Sequence, residues 1–417
     1  MKRKEFYLVF IFTAFSSCLQ SPEMTTGIVN GKEKPTVVTG QLAPFTDSDG
    51  NLVFQGEITS KGKSNIVEKG FYWSADSDDP DIKVVVPDTG SGTFTYDLQR
   101  ASGGKTYYWR AYAENSFGCD SGEVRSCQTP AIWTAEQVLN TDSRWKGAVF
   151  LLNNSIYMTC GVFSGDVFIS TTWEYYIASN LWMQIDSLTF PGGNRIYPVA
   201  FTIGNLAFVG TGLLTTQVGY NDLYQFNADS RRWTKIATPN DFEARYQATA
   251  FSLNGNGYVV GGYPFNTNEL NDVWQYNPNE NSWEKKNNSP VNFSGGIGIS
   301  GNNRAFVGFG DAADSNRTLW EYISTTDSWN KFAQLPDKAT RIFSGAIVQN
   351  NIYVVDGNNN IWALNMSDTT WTQKSSLPSD ILIEGYQNLL TSDNSNSIYV
   401  GLGYNILLYE YRPLWDN

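Results

Sequence analysis

The segment GYVVGGYPFNTNELNDVWQYNPNENSW, from Gly257 to Trp283, contains the pattern that decides the fold. An apolar run leads into Gly261-Gly262, and an alternating run around Trp274 follows after a loop. Turn residues separate that run from Trp283. Alternating aromatic and aliphatic residues bounded by Gly, Pro and Asn indicate strands and turns. The segment therefore predicts three short consecutive strands.

The same pattern recurs along about two thirds of the chain. In five places an aromatic or aliphatic residue lies seven positions before a tryptophan: Tyr175 and Trp182, Phe226 and Trp233, Tyr276 and Trp283, Tyr322 and Trp329, Leu364 and Trp371. With Trp133 included, the tryptophans are 49, 51, 50, 46 and 42 residues apart. All-strand repeats of this length are typical of β-propellers.

The diglycine, the aromatic residue in the next strand and the tryptophan of the outer strand resemble the kelch repeat. The resemblance implies an all-β chain with a six-bladed kelch-type β-propeller, a galactose oxidase-like fold, over residues 130–417. Its inner strands are expected at Gly147–Leu152, Pro198–Ile203, Ala248–Leu253, Gly296–Ser300, Gly345–Val348 and Tyr386–Leu390. No tryptophan follows Tyr411 at the repeat spacing, and Trp133 lacks a preceding strand. The strand from Ile132 to about Gln137 is therefore predicted to lie beside Leu407–Tyr411.

Residues 35–129 form a second predicted unit, with strand runs separated by turn clusters at the spacing of a β-sandwich. The run from Thr106 to Asn115 resembles the sixth strand of fibronectin type III domains, which implies a divergent fibronectin III-like sandwich. By the period of two, Tyr107, Trp109, Ala111 and Ala113 face the core, and Tyr108, Arg110 and Tyr112 face away. Tyr107 is the candidate tyrosine corner.

The first 18 residues resemble the signal peptide of a bacterial lipoprotein. A basic start and a short apolar run end at Ser16-Ser17-Cys18, which is similar to a lipobox. The resemblance implies lipidation of Cys18, a flexible tether over residues 19–34, and an outer membrane lipoprotein of the cell envelope that meets the membrane only through its lipid. Ordinary cleavage of the signal is the alternative. The pairing of Cys119, Cys127 and Cys160 is left open.

Composition excludes several functions. The net charge of −12 argues against a nucleic-acid partner. The chain has no histidine, which excludes histidine-based triads, histidine metal sites and the copper chemistry of galactose oxidase. No cofactor motif, metal-ligand spacing or catalytic residue stands out, although carboxylate chemistry on a sugar remains open.

Four of the six repeats open their inner strand with an arginine, and we expect Asn292 in the fourth repeat and Glu384 in the sixth. Aromatic residues follow closely in each repeat. The predicted ligand-binding residues are Arg144, Trp145, Arg195, Tyr197, Arg245, Tyr246, Phe293, Arg341, Phe343, Glu384 and Tyr386. Guanidinium groups recognise carboxylates, and aromatic rings stack on sugars. The alternative is that the arginines tie neighbouring blades together.

Two kelch-type precedents bear on this face of the propeller. Kelch adaptors of ubiquitin ligases bind acidic peptides with arginines at this position, and the bacterial kelch-type sialic acid mutarotase holds an anionic sugar in the same mouth. These resemblances imply an envelope binding protein for a glycan or another small anionic ligand. A scaffold that binds an envelope protein and a sugar mutarotase or epimerase are the alternatives.

Overall fold

The computed structural model describes residues 33–40, 51–138, 144–163, 166–185, 189–215, 218–265, 268–310, 317–381, 389–392, 396–401 and 407–416. These residues form β-strands and two short 3-10 helices, Ile177–Ser179 and Pro413–Trp415. The predicted signal segment with Cys18, most of the predicted tether, Glu384 and Tyr386 lie outside the described residues.

Within the described ranges, no helix has the length and apolar character that a membrane crossing requires.

The N-terminal unit consists of two antiparallel sheets. Its strands are β1 (Thr36–Thr39), β2 (Leu52–Ser60), β3 (Ile66–Ala75), β4 (Ile82–Val85), β5 (Gly92–Leu98), β6 (Thr106–Asn115), β7 (Gly118–Ser121) and β8 (Arg125–Gln128). One sheet has the order β1-β2-β5, and the other has the order β4-β3-β6-β7 with β8 also paired to β6. Phe54 from the first sheet stacks on Trp109 from the second, with ring centroids 5.3 Å apart. The two sheets therefore share one apolar core.

The predicted inward face of β6 is confirmed, because Tyr107, Trp109, Ala111 and Ala113 are all buried. The Ser102 amide donates to the Tyr107 hydroxyl at 2.8 Å. Tyr112, predicted on the opposite face, lies outside that core, although it is only 1% exposed. The Tyr112 hydroxyl donates to Glu68 and the Lys83 ammonium lies over its ring, so side chains of the same sheet cover it.

The remaining chain forms short strands. In chain order they are β9 (Trp133–Ala135), β10 (Arg144–Trp145), β11 (Ala148–Leu152), β12 (Ser155–Thr159), β13 (Val162–Phe163), β14 (Val167–Phe168), β15 (Thr172–Tyr176), β16 (Leu181–Gln184), β17 (Val199–Ile203), β18 (Leu206–Gly210), β19 (Leu213–Thr215), β20 (Val218–Gly219), β21 (Leu223–Asn227), β22 (Arg232–Ile236), β23 (Thr249–Leu253), β24 (Asn256–Gly262), β25 (Leu270–Asn277), β26 (Ser282–Lys286), β27 (Ile297–Gly301), β28 (Arg304–Gly308), β29 (Thr318–Ile323), β30 (Ser328–Gln334), β31 (Ile342–Val348), β32 (Asn351–Asp356), β33 (Ile361–Asn365), β34 (Trp371–Gln373), β35 (Leu389–Ser392), β36 (Ile398–Gly401) and β37 (Leu408–Tyr411).

Most of these strands belong to four-stranded antiparallel sheets, numbered here as sheets 1 to 6. Their strand orders are β11-β12-β15-β16, β17-β18-β21-β22, β23-β24-β25-β26, β27-β28-β29-β30, β31-β32-β33-β34 and β35-β36-β37-β9. The pairing of β9 with β37 is the one expected from the repeat, with Trp133 opposite Tyr411. The first strands β11, β17, β23, β27, β31 and β35 lie side by side in that order, and β35 also lies beside β11.

The repeated tryptophans connect neighbouring sheets. Each lies opposite the residue seven positions earlier, as Tyr276 does opposite Trp283 with ring centroids 5.1 Å apart. The Trp283 indole donates to the Ala237 carbonyl at 2.9 Å, just beyond the outer strand of the preceding sheet. The Trp371 indole donates to Gln334 in the same way. The spacing of seven therefore spans the turn between the third and fourth strands. The tryptophan side chain contacts the preceding sheet.

The last described residues connect the N-terminal unit to the sheets. Trp415 is 6% exposed and belongs to the core of the N-terminal unit, where its carbonyl accepts from the Gly103 amide at 2.9 Å. The neighbouring Asp416 carboxylate accepts from the Ser375 amide at 2.8 Å and from the Tyr411 hydroxyl at 2.6 Å. Adjacent residues thus anchor in both parts of the molecule.

Candidate functional site

Two of the predicted arginines are buried ion pairs. Arg195 and Arg245 precede β17 and β23, and neither side chain is exposed. Arg195 Nη1 and Nη2 donate to the Asp222 carboxylate at 2.6 and 2.9 Å. Arg245 binds Asp272 in the same bidentate way, at 2.6 and 2.8 Å. Both guanidinium charges are therefore neutralised within their own sheet, by the residue next to the start of the third strand or within it.

Arg144 occupies the same place in sheet 1 but has no such partner. Its Nη1 and Nη2 donate to the carbonyl and the hydroxyl of Thr171, both at 3.0 Å, and Thr171 lies at the spacing where the other arginines meet an aspartate. The Arg144 Nε is buried without a hydrogen-bond partner among the described atoms. The residue is 2% exposed, and burial lowers the pKa of its guanidinium to about 10. Arg144 is thus a desolvated cation.

The fourth repeat differs from the prediction by one residue. The Gly262 amide donates to the Phe293 carbonyl at 2.7 Å, just as the Gly161 and Gly212 amides donate to the carbonyls of Arg195 and Arg245 at 2.8 Å. Phe293, rather than the expected Asn292, therefore aligns with the arginines. Its ring is 1% exposed and packs in the core between sheets 3 and 4.

The other predicted residues are dispersed. Arg341 is exposed and directly precedes β31, which contains Phe343. Glu384 and Tyr386 lie outside the described residues. The structure thus gathers Arg144, Trp145, Tyr197 and Tyr246 near one end of the channel that lies between the first strands.

That end of the channel holds a cavity of about 190 Å³. Arg144 and Lys146 line it together with small or apolar residues of sheets 1 to 5, such as Met158, Thr249 and Ser344. Among its described lining residues there is no aspartate or glutamate. A cavity with two cations and no described acid favours an anion.

Aromatic side chains of sheets 1 to 3 lie next to Lys146, which lines this cavity; Tyr197 is 8% exposed and the others are half-buried. The Lys146 ammonium lies 5.2 Å from the ring centroid of Tyr197. The Tyr197 ring lies 6.3 Å from that of Tyr246, which in turn lies 5.5 Å from both Tyr263 and Phe265. We call the set Trp145, Phe168, Tyr197, Tyr246, Tyr263 and Phe265 the aromatic arc.

The loops that carry the arc are built by hairpins and by strained backbone. The β13–β14 and β19–β20 hairpins form small separate sheets between the second and third strands of sheets 1 and 2, and Tyr246 bridges to Tyr263 in sheet 3. Lys146 and Tyr197 have φ values of 61° and 55°. A bulky side chain in the left-handed region is an outlier, and such strain is common at functional sites.

A carboxylate and a phenol meet where the arc reaches sheet 4. The Ser294 hydroxyl donates to Glu269 at 2.9 Å, and Ser294 is fully buried. A hydrogen bond to Glu269, together with burial, raises the pKa of the Tyr263 hydroxyl. Glu269 is therefore an acceptor held in place by two hydroxyl groups.

No group of three or more metal-ligating side chains occurs among the residues that the structure describes. Cys119, Cys127 and Cys160 are free thiols, and burial raises the pKa of the Cys160 thiol to about 12.

Comparison with known families identifies the repeat. A family model described as the KLHDC2/KLHL20/DRC7 kelch-repeats domain matches residues 148–357, just over half of the chain. The chain belongs to the kelch-repeat family. Its match covers β11 to β32 and the first strands of sheets 1 to 5, whereas Arg144, Trp145 and Lys146 lie just before the matched residues.

Curated kelch relatives match over shorter stretches. An F-box/kelch-repeat protein of Arabidopsis thaliana is 27% identical over 169 residues, which is 38% of this chain and 44% of the relative. N-acetylneuraminate epimerase 2 of Escherichia coli O6:H1 is 34% identical over 116 residues, or 24% of this chain and 30% of the relative. N-acetylneuraminate epimerase of Escherichia coli K12 is 36% identical over 89 residues, or 19% and 23%. The chain thus spans less than half the length of these relatives.

A solved structure shares the fold. The structure of YjhT superposes with a TM-score of 0.52 at 15% identity and covers 66% of this chain and 95% of its own. The likeness supports an all-β propeller architecture for the sheets.

Several residues of this kelch site escaped the sequence analysis. Lys146, Tyr263, Phe265 and Glu269 have no repeated spacing, because they lie in loops that differ from sheet to sheet. The aspartates that neutralise Arg195 and Arg245 do have a signal, since both lie 27 residues after their arginine. That spacing distinguishes Arg144, which has Thr171 at this position, from Arg195 and Arg245.

Proposed function

We propose that this kelch protein binds a small anionic sugar at the channel mouth, in the cavity beside Arg144. The observation that carries the proposal is that three arginines at equivalent positions differ in whether a carboxylate neutralises them. Asp222 and Asp272 neutralise Arg195 and Arg245, whereas Arg144 is buried in the cavity lining without a described carboxylate partner. A ligand carboxylate would supply the missing negative charge.

The energetics favour an anion at this position. A buried cation without a counterion is destabilising, and a charge-assisted hydrogen bond to it contributes roughly 1.5–3 kcal/mol. Lys146 lines the same cavity and adds a second positive charge. Because the chain carries a net charge of −12, these cations stand out from the rest of the surface and steer anions inward.

A sugar acid fits both the cavity and its surroundings. Two of the matched relatives are named as enzymes of N-acetylneuraminate, a sugar that carries a carboxylate. The Tyr197 ring beside Lys146 provides a flat apolar face of the kind that sugar-binding sites use. The carboxylate of the ligand would then contact Arg144 in the cavity, and its sugar ring would contact the aromatic face beside Lys146.

Calorimetric titration with N-acetylneuraminate tests the proposal. We expect Arg144→Gln to weaken binding at least about tenfold, because one charge-assisted contact is lost. Arg232→Gln, which removes an equal charge from the exposed outer strand β22, is the matched control and should bind normally. Unchanged affinity in a folded Arg144→Gln protein would place the binding site elsewhere.

Epimerisation of the same sugar is a second candidate function. Opening the sugar ring at the anomeric carbon takes a proton from the anomeric hydroxyl and delivers one to the ring oxygen, so it needs an acceptor and a donor. Glu269 and Tyr263 form such a pair at the mouth. Faster anomeric exchange of N-acetylneuraminate in NMR spectra, abolished by Glu269→Gln, would support catalysis, and binding without faster exchange would exclude it.

A scaffold that binds an envelope protein is the remaining alternative. The same mouth would then receive an acidic side chain or peptide, with Arg144 in the same role. An envelope protein that co-purifies with wild type but not with Arg144→Gln, in the absence of sugar binding, would favour it.

We also propose the finer organisation of the chain. The six sheets are the blades of one closed six-bladed propeller, a view supported by the β9–β37 pairing and the contact of β35 with β11. Residues 35–129 are a fibronectin III-like sandwich, supported by the bond from Ser102 to the Tyr107 hydroxyl. A solved experimental structure with another blade count would overturn the first.

The cellular location remains a proposal from the sequence. A lipid on Cys18 would place the protein in the outer membrane of the cell envelope, with the lipobox-like Ser16-Ser17-Cys18 as support. The mass of the N-terminal peptide decides this, because acyl chains on Cys18 add a mass that ordinary cleavage does not.

A further inference from the structure

We propose that the ligand is an acidic oligosaccharide rather than a single sugar, with its acid in the Arg144 cavity and its following sugars on the aromatic arc. This inference rests on the proposed function and specifies its ligand class. Tyr246, Tyr263 and Phe265 form the part of the arc that a monosaccharide in a cavity of about 190 Å³ leaves unused.

The arc begins beside a residue that lines the cavity. Lys146 lines the cavity, and its ammonium lies 5.2 Å from the Tyr197 ring at the start of the arc. Ring-to-ring distances of 6.3 and 5.5 Å then lead from Tyr197 over Tyr246 to Tyr263 and Phe265. A ligand held at Lys146 therefore has an aromatic surface next to it in one direction.

Part of the aromatic arc is accessible to solvent. Tyr246, Tyr263 and Phe265 are half-buried, although the cluster beneath them (Val162, Ile196, Tyr197 and Leu213) is buried. Loops that served only to close the sheet ends need no row of large aromatic rings. The connection between β32 and β33 in sheet 5 shows this, because it is a short turn held by Asp356.

The described part of the arc runs from the cavity over sheets 1 to 3. The connections between the second and third strands of sheets 1 and 3 carry Phe168, Tyr263 and Phe265. A bound chain would follow these rings from the cationic cavity outward over sheets 2 and 3. The flat, mostly uncharged wall suits neutral sugars, and the cations suit only the acidic end.

The test compares three probes by calorimetric titration of the full protein. They are N-acetylneuraminate, the trisaccharide in which it is linked to lactose, and lactose alone. We expect the trisaccharide to bind at least about tenfold more tightly than the monosaccharide, because stacking on the arc adds to the same anion site.

A matched pair of variants isolates the aromatic face. Tyr246→Leu keeps an apolar side chain but removes the flat ring, whereas Tyr246→Phe keeps the ring. Tyr246→Leu should lose most of the trisaccharide advantage with the monosaccharide affinity unchanged, and Tyr246→Phe should behave like wild type. Phe265→Leu serves the same purpose if Tyr246→Leu fails to fold by circular dichroism.

The outcomes distinguish a failure of this inference from a failure of the proposed function on which it rests. Equal affinity for monosaccharide and trisaccharide, with both dependent on Arg144, would overturn the arc and leave the anion site standing. Lactose that binds through Tyr246 as tightly as the trisaccharide would support the arc and overturn the anion site. An equal trisaccharide advantage in Tyr246→Leu, Phe265→Leu and wild type would also overturn the arc.

Discussion

A single neighbouring side chain decides what each repeated arginine does. The backbone places Arg144, Arg195 and Arg245 alike, and each guanidinium reaches the residue 27 positions later. That residue is an aspartate twice and Thr171 once. The same residue type is thus a stabilising ion pair in sheets 2 and 3 and a desolvated cation in sheet 1.

The two kinds of arginine should respond to substitution in opposite ways. Arg195→Met leaves Asp222 without its partner and should lower the free energy of unfolding by about 3–5 kcal/mol. Arg144→Met should leave stability within about 1 kcal/mol of wild type or raise it. The reason is that burial lowers the pKa of Arg144, which means that the folded state disfavours the charged side chain relative to the unfolded state. Equilibrium denaturation in urea measures both.

Loss of stability by several kcal/mol in Arg144→Met, equal to that in Arg195→Met, would contradict this distinction. Arg245→Met provides an independent repeat of the paired case, because its contacts with Asp272 match those of Arg195 with Asp222.

At the scale of the strand, tryptophan and its cross-strand partner form the repeated unit. The pairs Tyr175–Trp182, Tyr276–Trp283 and Tyr322–Trp329 have ring centroids 5.0, 5.1 and 4.9 Å apart. The pair Tyr411–Trp133, at 4.6 Å, joins residues from opposite ends of the sheet-forming region. In sheet 6 alone among these sheets, the outer strand comes from before the other three.

A proline in that outer strand should open sheet 6. Thr134 lies opposite Glu410 in the middle of β9, so Thr134→Pro removes a backbone donor and exposes the edge of β37. We expect a lower melting temperature and concentration-dependent aggregation, measured by light scattering. Thr134→Ser, which keeps the hydroxyl that accepts from Arg412, is the control. A Thr134→Pro protein that melts like wild type would show that β9 does not hold the sheet.

At the scale of the whole molecule, the N-terminal unit is docked rather than merely linked. Trp415 fills part of its core, and Asp416 is bonded to Ser375 and Tyr411 of sheets 5 and 6. The docking gives this unit a defined orientation relative to the six sheets.

Removal of the Trp415 ring should uncouple the two parts. We expect wild type to unfold in one calorimetric transition and Trp415→Ala in two, because the shared core is lost on one side only. Leu414→Ala, at the adjacent half-buried position, should retain a single transition. Two transitions already present in wild type would show that the docking contact does not couple the units.

The sequence by itself determined the architecture of the repeats. Alternation in each strand and the tryptophan spacing predicted the strand-rich sheets, the inner face of β6 and the partner of β9, because these features depend on backbone geometry that neighbouring residues set locally. The tertiary structure alone decided the site. Asp222 and Asp272 neutralise two arginines, Phe293 takes the place expected for Asn292, and loops without a repeat bring Lys146 and Tyr263 to the mouth. Whether a guanidinium is neutralised and whether a ring is exposed depend on contacts between separate strands and loops, which the alternation within a strand does not encode.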